Sequence, residues 1–195
     1  MPKLKYSSLT FVSKNKQKYA EYCSLLDIAN LNFSEMAITE PQTMNLEAII
    51  EEKIRQIIRQ LPNSSPFFVE HTALIIGEWK GLPGGLTNLF LNTVGNEGIC
   101  KMMKGYKGSE RLARARVVIG YYYYGSGIDI FHGEVSGTIA SEPRGKNNFG
   151  WAPIFIPNGA SKTYAEMSFE EKNQSSMRKK AIDKFKKYLD FYFEL

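Results

Sequence analysis

The sequence predicts an α/β protein with a mixed β-sheet, folded as one domain over residues 1–195. Three observations carry that expectation. Short apolar runs alternate with helical periodicity in the first half of the chain. Two long β-prone runs, 113–124 and 128–139, flank Gly125-Ser126-Gly127 and read as a hairpin. The last stretch, 169–193, is mostly helical in pattern.

The elements follow in order. Leu9-Thr10-Phe11-Val12 is a short strand. Over 15–26 the residues Tyr19, Tyr22, Cys23, Leu25 and Leu26 recur at helical spacing, so Ser13 to Lys18 marks a strand-to-helix junction. A second strand is expected over 31–38. Over 46–61, Ile49, Ile50, Ile54, Ile57, Ile58 and Leu61 form the apolar stripe of a helix that Pro62 to Pro66 ends. Strands over 67–69 and 74–76 are separated by the polar Glu70-His71-Thr72. A Gly81 to Gly85 turn and a short helix over 96–103 precede the hairpin. With no internal repeat, low-complexity tract or linker, 195 residues suit a single domain of about 100–200 residues.

Composition narrows the class. Hydrophobic residues at 43% can bury a real core, and a charged fraction of 23% argues against disorder. The net charge of +5 suits a polyanionic ligand or a solvated basic surface. Its cations are too diffuse for a nucleic-acid footprint, so no specific nucleic acid is expected. Cys23 and Cys100 belong to no ligand pattern, which points to a reducing interior without a disulfide framework. The N-terminus lacks the apolar stretch of a signal peptide, and no run reaches the ~20 apolar residues of a membrane span. A cytoplasmic protein with no membrane contact is the expectation.

Several constellations could carry chemistry. Ser13-Lys14-Asn15-Lys16-Gln17-Lys18 places three lysines where a strand gives way to a helix. Backbone N–H groups there attract anions, and lysine adds full charge for phosphate oxygens. A capped, solvated helix start would look the same. Glu70-His71-Thr72 offers a carboxylate and an imidazole at a strand end, for a metal or a proton, or simply an exposed polar strand end. Glu40 follows a strand and precedes a proline, a position from which it can project into a cleft. Phe149-Gly150-Trp151-Ala152 could stack a purine on flat aromatic faces, or pack into the core. Lys172, Ser176, Arg178, Lys179 and Lys180 could meet a nucleotide or coat a basic helix.

Taken together and in this order, these pieces resemble the inosine triphosphate pyrophosphatase family from about Leu9 to Phe185. The resemblance is densest over 133–173, and GLPG, RG-x3-FGW, TYAEM and EKN are most similar to the eukaryotic members. It implies an elongated mixed sheet with helices around it, two lobes with a nucleotide cleft between them, and a homodimer. It also implies hydrolysis of ITP, dITP and XTP to the monophosphate and pyrophosphate with Mg²⁺.

By position, the resemblance assigns Ser13, Asn15 and Lys18 to the phosphate loop and Lys53 to the phosphates. Glu40 lies within one residue of the family's metal-binding glutamate. Glu70 and Thr72 match its acidic strand end, Phe149 and Trp151 its base-stacking segment, and Lys172 its lysine. Ser176 and Arg178 match two parts of a Ser-His-Arg base-recognition motif. The implied mechanism has Glu40 and Glu70 on the metal, Lys18 and Lys53 on the triphosphate, and Glu70 or His71 taking the proton of the attacking water.

The chain also departs from the pattern. Lys14 stands for a glycine, His71 for an aspartate, Asn88 for a lysine, Ala152 for an aspartate and Met177 for a histidine. An imidazole serves Mg²⁺ poorly and suits Mn²⁺ better. Two readings therefore stay open: a working hydrolase with reduced activity, or a nucleotide-binding protein that keeps the fold without turnover.

Overall fold

The computed structural model describes residues 4–5, 9–26, 31–60, 65–124 and 127–194. The end of the second helix at Leu61, its stop signal at Pro62 to Ser64, and Gly125-Ser126 of the hairpin turn lie outside the described residues. In chain order the elements begin with β1 (Leu4–Lys5), β2 (Thr10–Val12), α1 (Lys16–Leu26), β3 (Asn32–Ser34), α2 (Leu46–Gln60) and β4 (Phe67–Ile76). Then come β5 (Pro83–Gly84), α3 (Thr87–Thr93), α4 (Gly95–Met102), β6 (Leu112–Tyr123), β7 (Gly127–Ile139) and β8 (Phe155–Pro157). The chain closes with α5 (Phe169–Gln174), α6 (Met177–Tyr192) and β9 (Phe193–Glu194).

The main sheet has seven strands in the order β3-β2-β4-β6-β7-β8, with β5 also paired to β4. β2 runs parallel to β3 and β4, and the other pairings are antiparallel, so the sheet is mixed as expected. A separate parallel pairing joins β1 to β9.

β4 organises the molecule. Its Phe67 and Phe68 pair with β2, and its Leu74 and Ile75 pair with β5. On the other side it pairs with β6 along its whole length. The sequence suggested two strands broken at Glu70-His71-Thr72. They are one strand of ten residues, with Glu70, His71 and Thr72 opposite Ile119, Val118 and Val117. The expected exposed strand end is the buried middle of the sheet instead. Polar residues survive there because each finds a partner, as described below.

Alternation along β4 separates two cores. Phe68, Leu74 and Ile76 face α1 and α6, in a cluster with Phe11, Tyr22 and Phe185. Phe67, Val69, Ala73 and Ile75 face α2, with Ile49, Ile50, Ile54 and Ile57. The α2 stripe is the one its periodicity predicted. α6 seats its start on β7 at Gly133, where a Cβ would lie 1.9 Å from the Met177 carbonyl oxygen. Only glycine lets the helix approach that closely, and this contact brings Met177 and Arg178 to the sheet.

Other expectations change in detail. The strand expected over 31–38 is confined to Asn32–Ser34. The 81–85 turn contributes β5. α3 and β8 were not anticipated. Thr87 anchors α3: its hydroxyl donates to the Gly84 carbonyl at 2.6 Å and accepts from the Leu74 N–H at 2.9 Å. The C-terminal helical segment is broken at Ser175-Ser176 into α5 and α6. Among the described residues, no helix is long and apolar enough to cross a membrane.

Candidate active site

A cavity of about 390 Å³ gathers most of the residues singled out from the sequence: Ser13, Lys14, Asn15, Gln17, Lys18, Glu40, Lys53, Glu70, Thr72, Phe149, Gly150, Trp151, Ala152, Lys172, Met177 and Arg178. Its volume falls within the range of small-ligand sites. Lys16, His71 and Ser176 lie outside its wall. Val12, Met36, Ile38, Asn88, Leu91 and Tyr164 complete it.

The junction between β2 and α1 forms one part of the wall. Asn15 caps α1 by accepting the Lys18 N–H at 2.9 Å, and the Ser13 hydroxyl accepts the Asn15 N–H at 3.1 Å. The ordinary capping role and the functional one therefore coincide: the cap fixes a helix N-terminus that opens on the cavity.

Glu70 sits at the centre, with its side chain 1% exposed. The Arg178 guanidinium grips it through Nε to Oε2 at 2.9 Å and Nη2 to Oε1 at 3.1 Å. Lys18 Nζ lies 2.7 Å from Oε1. Tyr22 donates to Oε2 at 2.7 Å and Thr72 to Oε1 at 3.0 Å. Burial opposes the charge, but Arg178 and Lys18 outweigh it and hold the carboxyl well below its ordinary range. Burial and the neighbouring Glu70 push the Tyr22 phenol well up.

Arg178 is equally committed. Its remaining arm donates to Glu21, which also takes Lys172 at 3.2 Å. Burial works against the guanidinium charge, yet Glu70 and Glu21 raise its pKa above the ordinary value. The base-edge role expected of Arg178 is thus filled, in this structure, by two carboxylates. Ser176 is buried and caps α6, its hydroxyl accepting the Lys179 N–H at 3.3 Å. Met177 occupies the cavity wall as a buried apolar side chain.

Lys53 and Glu40 form a second ion pair at 2.5 Å, and Lys53 also donates to the Glu70 carbonyl at 3.0 Å. Burial lowers the Lys53 pKa despite Glu40 beside it. For Glu40 burial again opposes ionisation, and the His71 ring and Lys53 together outweigh it and hold the carboxyl far down.

His71 is displaced from its expected role. As an odd-numbered residue of β4 it points to the α2 side, opposite Glu70 and Thr72. Its side chain is 2% exposed, with Nδ1 3.6 Å from Glu40 Oε1 and Nε2 3.2 Å from the Gly85 carbonyl oxygen. It therefore stands behind Glu40 and does not face the cavity.

The aromatic segment is split too. Phe149 is half-buried on the cavity wall. Trp151 also lines the cavity but is buried, its ring packing in the core against Phe155 and Tyr164, with centroids 5.5 and 6.2 Å apart. A two-sided aromatic sandwich is not formed. The Ala152 N–H closes the turn on the Phe149 carbonyl at 3.1 Å.

Glu21 and Tyr22 escaped the sequence reading. Glu21 lies three residues after Lys18, one helical turn from the cationic loop, and that spacing was the available signal. Among the described residues, no cluster of three or more His, Cys, Asp or Glu could hold a metal ion.

The Ham1 family model matches residues 9–188. The dITP/XTP pyrophosphatase of Pyrococcus horikoshii is 36% identical, covering 92% of this chain and 95% of its own. The inosine triphosphate pyrophosphatase of Candida glabrata is 37% identical, covering 94% of this chain and 97% of its own. Archaeal and fungal relatives thus match about equally. A solved Ham1 protein from Coxiella burnetii superposes with a TM-score of 0.80 at 26% identity, over 94% of this chain and 98% of that one. By sequence across nearly its whole length, and by fold, the chain belongs to the Ham1 family.

Proposed function

We propose that the chain hydrolyses purine nucleoside triphosphates of the ITP, dITP and XTP type to the monophosphate and pyrophosphate. The observation that carries this is one cavity combining a lysine-bearing helix start, two carboxylates and the Phe149 turn. The printed activities of the relatives from Pyrococcus horikoshii and Candida glabrata support it.

Lys18, Lys53 and the N–H groups at the start of α1 bind the triphosphate. Phe149 supplies one stacking face for the base. Mg²⁺ fits this donor set as an ion that arrives with the substrate, because it is commonly held by one or two carboxylates plus phosphate oxygens. Glu40 would hold it, and Glu70 would do so once Lys18 turns from its Oε1 to the phosphates, with Mn²⁺ as an alternative; the ion would polarise the phosphoryl oxygens and acidify a water. Glu70 is saturated by its partners and makes a poor proton acceptor. Glu40 is the more accessible carboxylate: its side chain is 32% exposed, its contacts with Lys53 and His71 fall on Oε1, and it becomes a proton acceptor once Lys53 turns to the phosphates and no longer holds its carboxyl down. His71 acts through Glu40 by orienting it. A homodimer and a cytoplasmic location complete the reading, and analytical ultracentrifugation tests the first.

The test is incubation of the purified protein with ITP, dITP or XTP and Mg²⁺ or Mn²⁺. Monophosphate and pyrophosphate are the expected products; release of orthophosphate would sink the reading. Saturation of Glu70 favours a second reading, nucleotide binding without turnover, which predicts tight binding and no product.

The wall also predicts weak base selectivity. Arg178 and Ser176 are committed elsewhere, while Ala152 and Met177 offer no side-chain donor. ITP should be separated from ATP or GTP by less than about 100-fold, because strong discrimination needs polar groups that the wrong ligand leaves unpaired. Met177→His with Ala152→Asp should widen that ratio in steady-state rates.

A further inference from the structure

We propose that Asn96 is a positioning residue for the base-binding turn, acting through the Gly150 carbonyl. The proposal rests on the reading that the Phe149 turn receives the base. Asn96 lies in the first turn of α4, and its Nδ2 donates to Gly150 O at 2.8 Å across 54 residues of sequence. α4 contributes nothing to the cavity wall, whereas Gly150 belongs to it. Asn96 therefore reaches the site only through the backbone it holds.

Gly150 needs an external hold. It sits at φ +57, and a glycine populates many backbone conformations at little cost. The Ala152 to Phe149 hydrogen bond closes the turn around it but leaves the central Gly150-Trp151 peptide to be oriented by something else. A Cβ built at Gly150 would meet only Leu91 Cδ1, at 3.9 Å, so close packing does not restrain the Gly150 end of that peptide. The Asn96 amide does. Its polarity follows from the contact, since Oδ1 turned toward the carbonyl would be repelled. In the orientation that makes this bond, Oδ1 is buried with no hydrogen-bond partner among the described residues. An acceptor left unmade is costly, which marks the contact as one retained for its effect on the turn.

The experiment compares ITP with inorganic tripolyphosphate, which has phosphates and no base. Asn96→Ala removes the donor; Asn96→Asp keeps the size and sets an acceptor against the carbonyl. Both variants should bind ITP about tenfold more weakly, roughly the effect of one hydrogen bond, and raise KM with kcat within about twofold. Both should bind tripolyphosphate as the unmodified protein does and keep its melting temperature. Unchanged ITP affinity would overturn the proposal. So would parallel loss of ITP, tripolyphosphate and thermal stability, which would mark Asn96 as a scaffold residue of α4. If the unmodified protein bound tripolyphosphate but no nucleoside triphosphate, both this proposal and the nucleotide reading would fall.

Discussion

Arg178→Ala is expected to destabilise the protein by about 3–5 kcal/mol, the cost of breaking a buried ion pair from one side. The side chain is 1% exposed and neutralises Glu70, itself 1% exposed, together with Glu21. Its loss leaves two carboxylates short of a cation, with Lys18 and Lys172 remaining beside them. Urea denaturation reads the effect directly. Pairing the change with Glu70→Gln should recover part of the loss, because removing both charges leaves less unpaired than removing one. A loss below about 1 kcal/mol would show that the cluster is solvated and not buried. The acid side of the stability profile carries the same information. Folding lowers the Glu70 pKa, so its contribution is full above the ordinary glutamate value of about 4.3 and fades as pH falls toward the folded value. Glu70→Gln should flatten that limb.

Lys53→Met should change two affinities in opposite directions. Binding of tripolyphosphate should weaken at least about tenfold, because a cation facing the phosphates is gone. Binding of Mn²⁺ without nucleotide should tighten by a similar factor, because Glu40 loses the ammonium that now lies 2.5 Å away. Electron paramagnetic resonance of free Mn²⁺ measures the second effect without any turnover. Lys53→Gln, which can still donate to the Glu70 carbonyl, controls for the buried contact at that end. Mn²⁺ affinity that stays level or drops in both variants would remove Glu40 from the metal site.

How much of this could be read in the sequence depended on how local each signal was. The junction at Ser13 to Lys18 was legible because cap, lysines and helix start are adjacent in the chain. The α2 stripe was legible because periodicity is local too. His71 was misjudged because its role depends on whether β4 is continuous, and that is decided by pairing with β6 nearly fifty residues on. Once the strand is unbroken, period-two alternation sends His71 to one face and Glu70 to the other. Glu21 was missed because its partner Arg178 lies 157 residues away, and one carboxylate on an amphipathic helix carries no mark of that distance. Trp151 matched a stacking motif in sequence, but Phe155 and Tyr164 claim its ring.

The two lysine–carboxylate pairs mean that the cleft carries its own counterions. A triphosphate entering it exchanges partners inside the protein and displaces few dissolved anions. Its equilibrium affinity should therefore respond only shallowly to ionic strength, since partly buried pairs are weakly screened. The net charge of +5 acts differently. It draws anions from a distance, and salt weakens that pull over a Debye length of about 10 Å at 0.1 M. Salt should consequently slow capture and escape of the nucleotide by nearly the same factor, because their ratio is the affinity.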